Sequence, residues 1–226
     1  MKHGKKYNES VKKYDSVKKY ELKEAVTLVK SMAFAKFDET VDLSLKLNLK
    51  KSQSVRDTVV LPHQFKSEKK VLVFCKPEKE KEAQEAGAAF VGADDLIEKV
   101  KGGWTDFDIA VATPDMMKDV GKLGMVLGRK GLMPNPKTGT VSFDLKGTLA
   151  ELKKGRVEFR ADKTGVLHLA VGKVSMEPSQ VAENITAVMT EVKRKRPVDV
   201  KGEFIQSVSV ASTMGPGVWV ALGDQE

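Results

Sequence analysis

The sequence predicts an α+β protein: both chain ends form one domain, and an α/β domain is inserted between them. Three observations support this. Apolar and polar residues alternate near both ends, as in half-exposed antiparallel strands. Residues 71–112 instead alternate short apolar strands with helices, which is typical of a parallel sheet. We therefore expect a discontinuous domain of residues 1–67 and 157–226, and an inserted domain of residues 68–156.

Positive charge is concentrated in the first third of the chain. The 226 residues carry a net charge of +8, with an isoelectric point near 9.3. Residues 1–67 hold 15 basic and 8 acidic residues (15 − 8 = +7), against +2 (16 − 14) for 68–156 and −1 (8 − 9) for 157–226. This excess favours an anionic partner such as nucleic acid. Aromatic residues make up only 6%, which argues against rows of rings that stack bases.

Composition also excludes several classes of protein. Cys75 is the only cysteine, so an intrachain disulfide and a cysteine-based zinc site are excluded, and its apolar neighbours predict a buried structural thiol. No apolar run reaches the roughly 20 residues that span a membrane. The basic N-terminus is not followed by a hydrophobic segment, so it is not a secretory signal. We expect a cytoplasmic protein without membrane contact.

The first 20 residues are rich in lysine. Tyr7, Val11, Tyr14 and Val17 recur at helical spacing, which predicts a short helix in part of this arm. Its lysines fit a solvated helix face and a phosphate-contacting arm equally well. The next segment, from Leu22 to Ala33, has the 3.6-residue period of an amphipathic helix.

The segment from Phe37 to Leu49 predicts a strand with one buried and one exposed face. From Val41 onward every odd position is aliphatic and every even position is polar. Glu39 breaks this pattern, because it stands where an apolar residue is expected. Together with Lys36 it is the first indication of a site; a strand end reaching solvent is the alternative, and Glu39 could orient a neighbouring lysine or hydroxyl.

The middle of the chain predicts strands that alternate with helices. Pro77 and Gly87 mark the start and end of one helix, and Thr113 is a candidate N-cap of another. The predicted strands are 58–61, 71–75, 89–91, 107–112 and 140–143, and the predicted helices are 78–86, 94–101 and 145–154.

Gly121 to Gly139 combines many glycines with lysine and arginine. Such a segment could hold a nucleotide, as an enzyme's phosphate-binding loop does. However, the Gly-Lys-Ser/Thr ending of that loop and the Gly-x-Gly-x-x-Gly pattern are both absent. We interpret Pro134-Asn135-Pro136 as a stiff, exposed loop, and keep a nucleotide-binding enzyme as the alternative function.

The last third returns to antiparallel strands. Arg156–Arg160 and Val166–Val171 flank the turn 162–165, which predicts a hairpin. A long amphipathic helix follows from Pro178 to Arg196. The two final strands, 204–213 and 218–222, flank Met214-Gly215-Pro216-Gly217.

Two further segments allow two interpretations each. Lys193 to Arg196 closes a helix, where cations complement the helix dipole; an RNA-reading cluster is the alternative. Ser212 to Gly217 is either a plain turn or a place where a partner's backbone approaches closely. The three histidines, His3, His63 and His168, lie far apart in sequence, and nothing supports a catalytic or metal site.

Four motifs together resemble the L-one family of bacterial large-subunit ribosomal proteins. They occur in the order of that family and span most of the chain. The motifs are Lys36-Phe37-Asp38-Glu39-Thr40, Gly131 to Lys137, Phe159-Arg160 with Asp162 to Gly165, and Thr213-Met214-Gly215-Pro216.

The resemblance implies a non-enzymatic protein without a cofactor, monomeric off the ribosome. Its inserted domain would be a Rossmann-like, three-layer α/β domain joined by a hinge. It would bind large-subunit ribosomal RNA in the mobile stalk, assist release of deacylated tRNA from the exit site, and repress its own operon by binding its mRNA. The implied RNA-binding residues are Lys36, Phe37, Thr40, Lys163, Thr164, Gly165, His168, Thr213, Met214 and Gly215, with Ser207 added from its place on the adjoining strand.

Overall fold

The computed structural model of the protein describes residues 4–50, 55–65, 70–153, 155–197, 200 and 202–222. The chain divides into two compact units, one of residues 1–65 with 157–226 and one of residues 66–156. Each unit combines helices with strands, so the prediction of a mixed α/β protein is confirmed.

Most elements lie close to their predicted positions. The helices are α1 (Lys5–Val11), α2 (Leu22–Met32), α3 (Pro77–Glu85), α4 (Asp94–Lys101), α5 (Met117–Val120), α6 (Gly124–Arg129), α7 (Leu145–Lys153) and α8 (Pro178–Arg194). The strands are β1 (Thr40–Leu47), β2 (Arg56–Val60), β3 (Val71–Phe74), β4 (Phe90–Gly92), β5 (Ile109–Ala112), β6 (Arg156–Arg160), β7 (Val166–Lys173), β8 (Ile205–Ser212) and β9 (Gly217–Val220).

The first unit is organised around β1. This strand lies inside an antiparallel sheet of order β7-β1-β8-β9. Its odd positions from Val41 to Leu47 are at most 1% exposed, and helices α2 and α8 pack on that face. The alternation in the sequence therefore correctly predicted which face of β1 is buried.

The N-terminal cap of helix α8 and the spacing of its buried residues both favour a long helix. Pro178 occupies the first turn, and Glu177 and Gln180 form a reciprocal capping box. Val181, Ile185, Val188 and Val192 are fully buried, as their spacing predicts.

The predicted hairpin between 156–160 and 166–171 is wrong in its strand pairing. Strand β6 pairs with β2, whereas β7 pairs with β1, and a single bridge from Ala161 to Leu167 joins the two. Long-range contacts decided this pairing, because the turn forms as expected: the Asp162 amide donates to the Val166 carbonyl at 2.9 Å.

The second unit contains a parallel sheet of order β4-β3-β5. Alternate residues of β3 point into two separate cores. Leu72 and Phe74 pack with α4 and α6 on one face, and Val71 and Val73 pack with α3 and α7 on the other. Within this unit the sheet is therefore covered by helices on both faces.

Three predictions in this unit need correction. Residues 140–143 form only a bridge from Val141 to Ala112, not a strand. Pro134 is buried. The loop that begins at Pro134 is therefore not exposed throughout, because this residue packs against the rest of the protein. Thr113 precedes a 3-10 turn at Pro114–Met116, but its hydroxyl makes no capping hydrogen bond.

Candidate nucleic-acid interface

No helix of the described residues covers one face of the four-stranded sheet of the first unit, and none of the residues on that face is buried. We call it the open face. Residues paired across an antiparallel sheet point to the same side, so the register identifies its members. They are Thr40, Asp42, Ser44 and Lys46 of β1, Val166, His168, Ala170 and Lys173 of β7, Ser207, Ser209 and Ala211 of β8, and Gly217 and Trp219 of β9.

Glu39 is a buried residue that holds together the loops at one end of the open face. It is only 1% exposed. One carboxylate oxygen accepts the amides of Phe34 at 3.0 Å and Ala35 at 2.8 Å, and the other accepts the Met214 amide at 3.1 Å. The carboxylate therefore ties together the loop before β1 and the loop after β8, which lie 175 residues apart.

The pKa of Glu39 reflects two opposed effects. Burial raises it, but hydrogen bonds from the Ala35, Met214 and Phe34 amides lower it more, so the carboxyl lies below its ordinary value. The Ser212 hydroxyl also lowers this pKa, although it lies outside ordinary hydrogen-bond geometry. The side chain thus stays ionised while buried, because donors replace its water.

Thr40 and Thr213 join directly at this end. The Thr213 hydroxyl accepts the Thr40 amide at 3.0 Å and donates to the Thr40 carbonyl at 3.2 Å. The Thr213 amide donates to the same carbonyl at 3.1 Å. These bonds extend the β1–β8 pairing past the strand ends.

Phe37 and Met214 give this end an apolar surface. Their side chains are 56% and 51% exposed. Asp38, beside Phe37, accepts the Ser175 hydroxyl at 2.9 Å, and this bond is the largest cause that lowers the pKa of Asp38. Gly215 lies so close to Ser212 that a Cβ would stand 2.4 Å from its hydroxyl oxygen, so a larger residue here would require the Ser212 side chain to move.

The turn 162–165 lies at the other end of β1. Asp162 accepts the Thr164 and Val166 amides at 2.8 Å each and the Thr164 hydroxyl at 2.7 Å. The Val166 amide is the largest cause that lowers the pKa of Asp162. Lys46 of β1 donates to the Thr164 carbonyl, so the turn is fastened to the open face.

Gly165 is the second connection of this turn to β1. Its carbonyl accepts the Leu47 amide at 2.8 Å. Its φ of +76° favours glycine, and a Cβ would lie 3.0 Å from the Leu47 carbonyl. Lys163 is exposed and makes no ion pair among the described residues.

Hydroxyls and a histidine occupy the middle of the open face. The Ser44 hydroxyl lies 3.0 Å from Nδ1 of His168, which is exposed on the outer strand β7. Ser44 pairs with Ser209, and Lys46 pairs with Ser207. The face therefore offers donors and acceptors that can bind a polar polymer without deep pockets.

The basic N-terminal arm borders the Thr213 end. Lys5, Lys6 and Tyr7 of α1 line a shallow depression of about 650 Å³ together with Phe34, Thr213, Met214 and Gly215. Their position agrees with a phosphate-contacting arm better than with a helix face that meets only solvent.

The predicted residues lie along the open face, most of them in two groups at its two ends. Lys36, Phe37 and Thr40 lie beside Thr213 to Gly215, as the sequence predicts. The turn residues lie about 20 Å away, since Thr40 and Lys46 are six strand residues apart. Sequence reasoning missed Ser44, Lys46, Ser209 and Trp219; the polar phase of β1 was the available signal for the first two.

Two alternative sites lose support from the geometry. Arg194 pairs with Glu191 at 2.9 Å, Lys195 pairs with Asp57 at 2.5 Å, and Arg196 donates to the Val200 carbonyl at 2.7 Å. Three of the four residues from Lys193 to Arg196 are thus engaged within the chain, through carboxylates and a loop rather than the helix-end carbonyls. Much of 121–139 is helical, with a 3-10 turn at Gly121–Leu123 followed by α6, unlike a phosphate-binding loop that follows a strand.

The described residues give little support to a membrane span, a metal site or a reactive thiol. They include no helix long and apolar enough to cross a membrane, and no group of side chains arranged to hold a metal ion. Burial, with a smaller contribution from Glu80, raises the pKa of the Cys75 thiol to about 11, so this buried cysteine is a poor nucleophile at neutral pH.

Comparison with known proteins gives a consistent family. Residues 29–216 match the ribosomal protein L1p/L10e family. The chain is 66% identical over 220 residues to large ribosomal subunit protein uL1 of Treponema denticola, covering 97% of each chain. It is 59% identical over 226 residues to uL1 of Treponema pallidum strain Nichols, covering 100% of each. It is 59% identical over 217 residues to uL1 of Borrelia hermsii, covering 96% of this chain and 97% of that protein.

Proposed function

Because this chain belongs to the ribosomal protein L1p/L10e family, we propose that its open face binds large-subunit ribosomal RNA. The chain is a structural constituent of the large ribosomal subunit in the bacterial cytoplasm and not an enzyme. One observation carries the proposal: Glu39 ties the loop before β1, which carries the exposed Phe37, to the loop after β8, which carries the exposed Met214, at the end of a face rich in hydroxyl groups.

The chemistry of the open face suits RNA. Hydroxyls of Ser44 and Thr213 and nearby backbone groups can bond sugar 2′-hydroxyls and phosphates over a shallow surface. Lysines at its border supply salt-sensitive phosphate affinity. Phe37 and Met214 add apolar contact, so RNA binding needs no row of aromatic rings.

A pair of matched substitutions at Thr213 tests the proposal. We expect Thr213→Val to weaken binding to a transcript of the stalk-base region by roughly 1–3 kcal/mol, because it removes a hydroxyl and keeps the shape. Thr213→Ser keeps the hydroxyl and should bind nearly as wild type. Filter binding across a salt series measures both affinities, and urea unfolding measures how much stability is lost with the hydroxyl's two hydrogen bonds to Thr40. Absence of RNA binding by the wild type, or equal affinity of all three proteins, would reject the site.

We further propose the finer roles that the family resemblance implies. The same face would bind the mRNA of the protein's own operon, so that leader transcript should compete with the ribosomal RNA fragment for one site. Thr213→Val should weaken both complexes to a similar degree. Simultaneous binding of both RNAs would contradict a shared site. Contact with exit-site tRNA in the mobile stalk is testable by crosslinking in assembled ribosomes, where capture of ribosomal RNA alone would count against it.

We also propose that the two compact units are separate domains and that the first carries the main RNA site. The support is that all the candidate site residues lie in residues 1–65 and 157–226. A shortened chain joining residue 67 to residue 157 should fold and retain RNA binding. A shortened chain that stays unfolded, judged by circular dichroism, would contradict this division.

A further inference from the structure

Trp219 is the largest apolar side chain among the residues of the open face. It is 42% exposed and pairs across the sheet with Ser209, which in turn pairs with Ser44. Ser44 lies 3.0 Å from His168. A single row therefore crosses all four strands, running from the indole through two hydroxyls to the imidazole.

Space is open around the indole because its neighbours on the same face are small. Gly217 precedes it by two positions, and a Cβ on this glycine would meet nothing within 4 Å. Ser209 lies opposite, and Ser207 and Ala211 lie on the two diagonals. A flat group of the size of a nucleobase can therefore approach the ring without displacing a side chain.

The other tryptophan provides an internal comparison. Trp104 contacts two rings of its own unit, with centroid distances of 4.9 Å to Phe90 and 5.7 Å to Phe107. Trp219 has no ring partner among the described residues. A single exposed apolar residue is ordinary on a protein surface; what distinguishes this ring is its place in the row of the proposed RNA site.

The strand that carries Trp219 is held rigidly at its outer edge. The Tyr20 amide donates to the Trp219 carbonyl at 3.0 Å, and the Tyr14 hydroxyl donates to the Gly217 carbonyl at 3.1 Å. Tyr20 forms a bridge to Val220 and packs on the core. Alternation along this extended segment places Lys19 on the side of Trp219. Lys19 is exposed and makes no ion pair among the described residues.

We propose that Trp219 is a stacking platform for one unpaired base of the bound RNA and that Lys19 contacts its phosphate. Every base presents a π-face, so an aromatic ring holds an unstacked base without reading its identity. A cation beside the ring neutralises the phosphate that follows the base. The inference rests on the proposed function, and it extends that site from β1 to the edge strand β9.

Intrinsic fluorescence tests this proposal because the chain has only two tryptophans. In a Trp104→Phe protein all tryptophan emission comes from Trp219, and we expect the stalk-base transcript to quench it at saturation. In a Trp219→Phe protein the emission comes from Trp104 and should not change. Unchanged Trp219 emission at saturating RNA would overturn the proposal.

Affinity gives an independent measurement on the full chain. We expect Trp219→Ala to weaken binding roughly five- to a hundredfold, the range for loss of one stacked base, and Trp219→Phe to weaken it much less. Lys19→Ala should lower the slope of log affinity against log salt by about one. Wild-type affinity in Trp219→Ala would refute the stacking role.

The two proposals fail separately. The stacking proposal alone fails if the wild type binds the transcript, Thr213→Val weakens the complex, and neither the emission of Trp219 nor the affinity of Trp219→Ala changes. The ring would then be available for contact with a protein. If the wild type does not bind the transcript, both proposals fail.

Discussion

The two ends of the open face are each organised by a carboxylate, but the two carboxylates work differently. Glu39 is buried and accepts amides from two loops that are far apart in sequence. Asp162 is exposed and accepts groups from its own turn. The carboxylate at one end thus joins distant segments, whereas the carboxylate at the other end binds only groups of its own turn.

This difference determines how each end should respond to mutation. Removing Glu39 leaves partly buried amides of two distant loops without their charged acceptor, whereas the groups freed by removal of Asp162 can turn to solvent. Loss of Glu39 should therefore disturb contacts between distant segments, and loss of Asp162 should disturb mainly its own turn.

The largest effect is expected for Glu39→Ala. Three amide hydrogens lose a charged acceptor in a buried place, so the free energy of unfolding should fall by roughly 3–5 kcal/mol. RNA affinity should fall as well, since the loops that carry Phe37 and Met214 are no longer tied together by the carboxylate. Urea unfolding and filter binding measure the two effects.

Glu39→Gln is the matched control for this experiment. It retains one carbonyl oxygen for the Phe34 and Ala35 amides, but its amide group cannot accept from Met214. Its loss of stability should therefore be intermediate. If Glu39→Ala unfolds like wild type, the carboxylate does not hold the loops together.

An intermediate effect is expected for Gly165→Ala. The left-handed φ and the approach of a Cβ to the Leu47 carbonyl together should cost about 2 kcal/mol of unfolding free energy. Gly202→Ala in the same unit separates these contributions, because Gly202 has a φ of +77° and no atom within 4 Å of its added Cβ. Equal losses in the two variants would mean that the contact with β1 contributes nothing.

The smallest effect is expected from the acid dependence of stability. Both carboxyls have a pKa lowered by folding, from ordinary values of 4.5 for Glu39 and 3.8 for Asp162. Such groups stabilise the fold above the unfolded pKa, and the contribution is lost as pH falls through the folded pKa. Below about pH 4.5, Glu39→Gln should therefore lose less additional stability than wild type.

Asp162→Asn should change that acid dependence less than Glu39→Gln does, since solvent screens an exposed carboxylate. Urea unfolding from pH 7 to pH 3 compares the three proteins. A larger change in Asp162→Asn than in Glu39→Gln would reverse the assignment of the buried and exposed anchors.

Local patterns in the sequence identified most helices and strands but not which strands pair with each other. The alternation of β1 correctly predicted its buried face, and Pro178 predicted the start of α8. The pairing of β6 with β2 could not be predicted, because a strong turn at 162–165 favours a hairpin whatever the rest of the chain does. The strand predicted at 140–143 does not form, for the related reason that alternation of polar and apolar residues does not show whether a neighbouring strand is available.

The candidate site follows the same division. Lys36, Thr40 and Thr213 were predicted from motifs, and the structure brings their segments together. The guess that Glu39 orients a lysine or hydroxyl was wrong about its main partners, which are backbone amides. Trp219 was missed because its exposure depends on the small residues of β8, which lie beside it only in the folded sheet.

By itself the sequence determined the elements, the buried face of each amphipathic segment and the family to which the chain belongs, because periodicity and motifs are local properties of the chain. Only the tertiary structure decided that Glu39 is an anchor rather than a break in a strand, and that Trp219 shares a row with Ser44 and His168. The physical reason is that Glu39 takes one partner, Met214, from 175 residues away, and that Trp219 joins Ser44 and His168 only through strand pairing in the folded sheet; no local pattern records those neighbours.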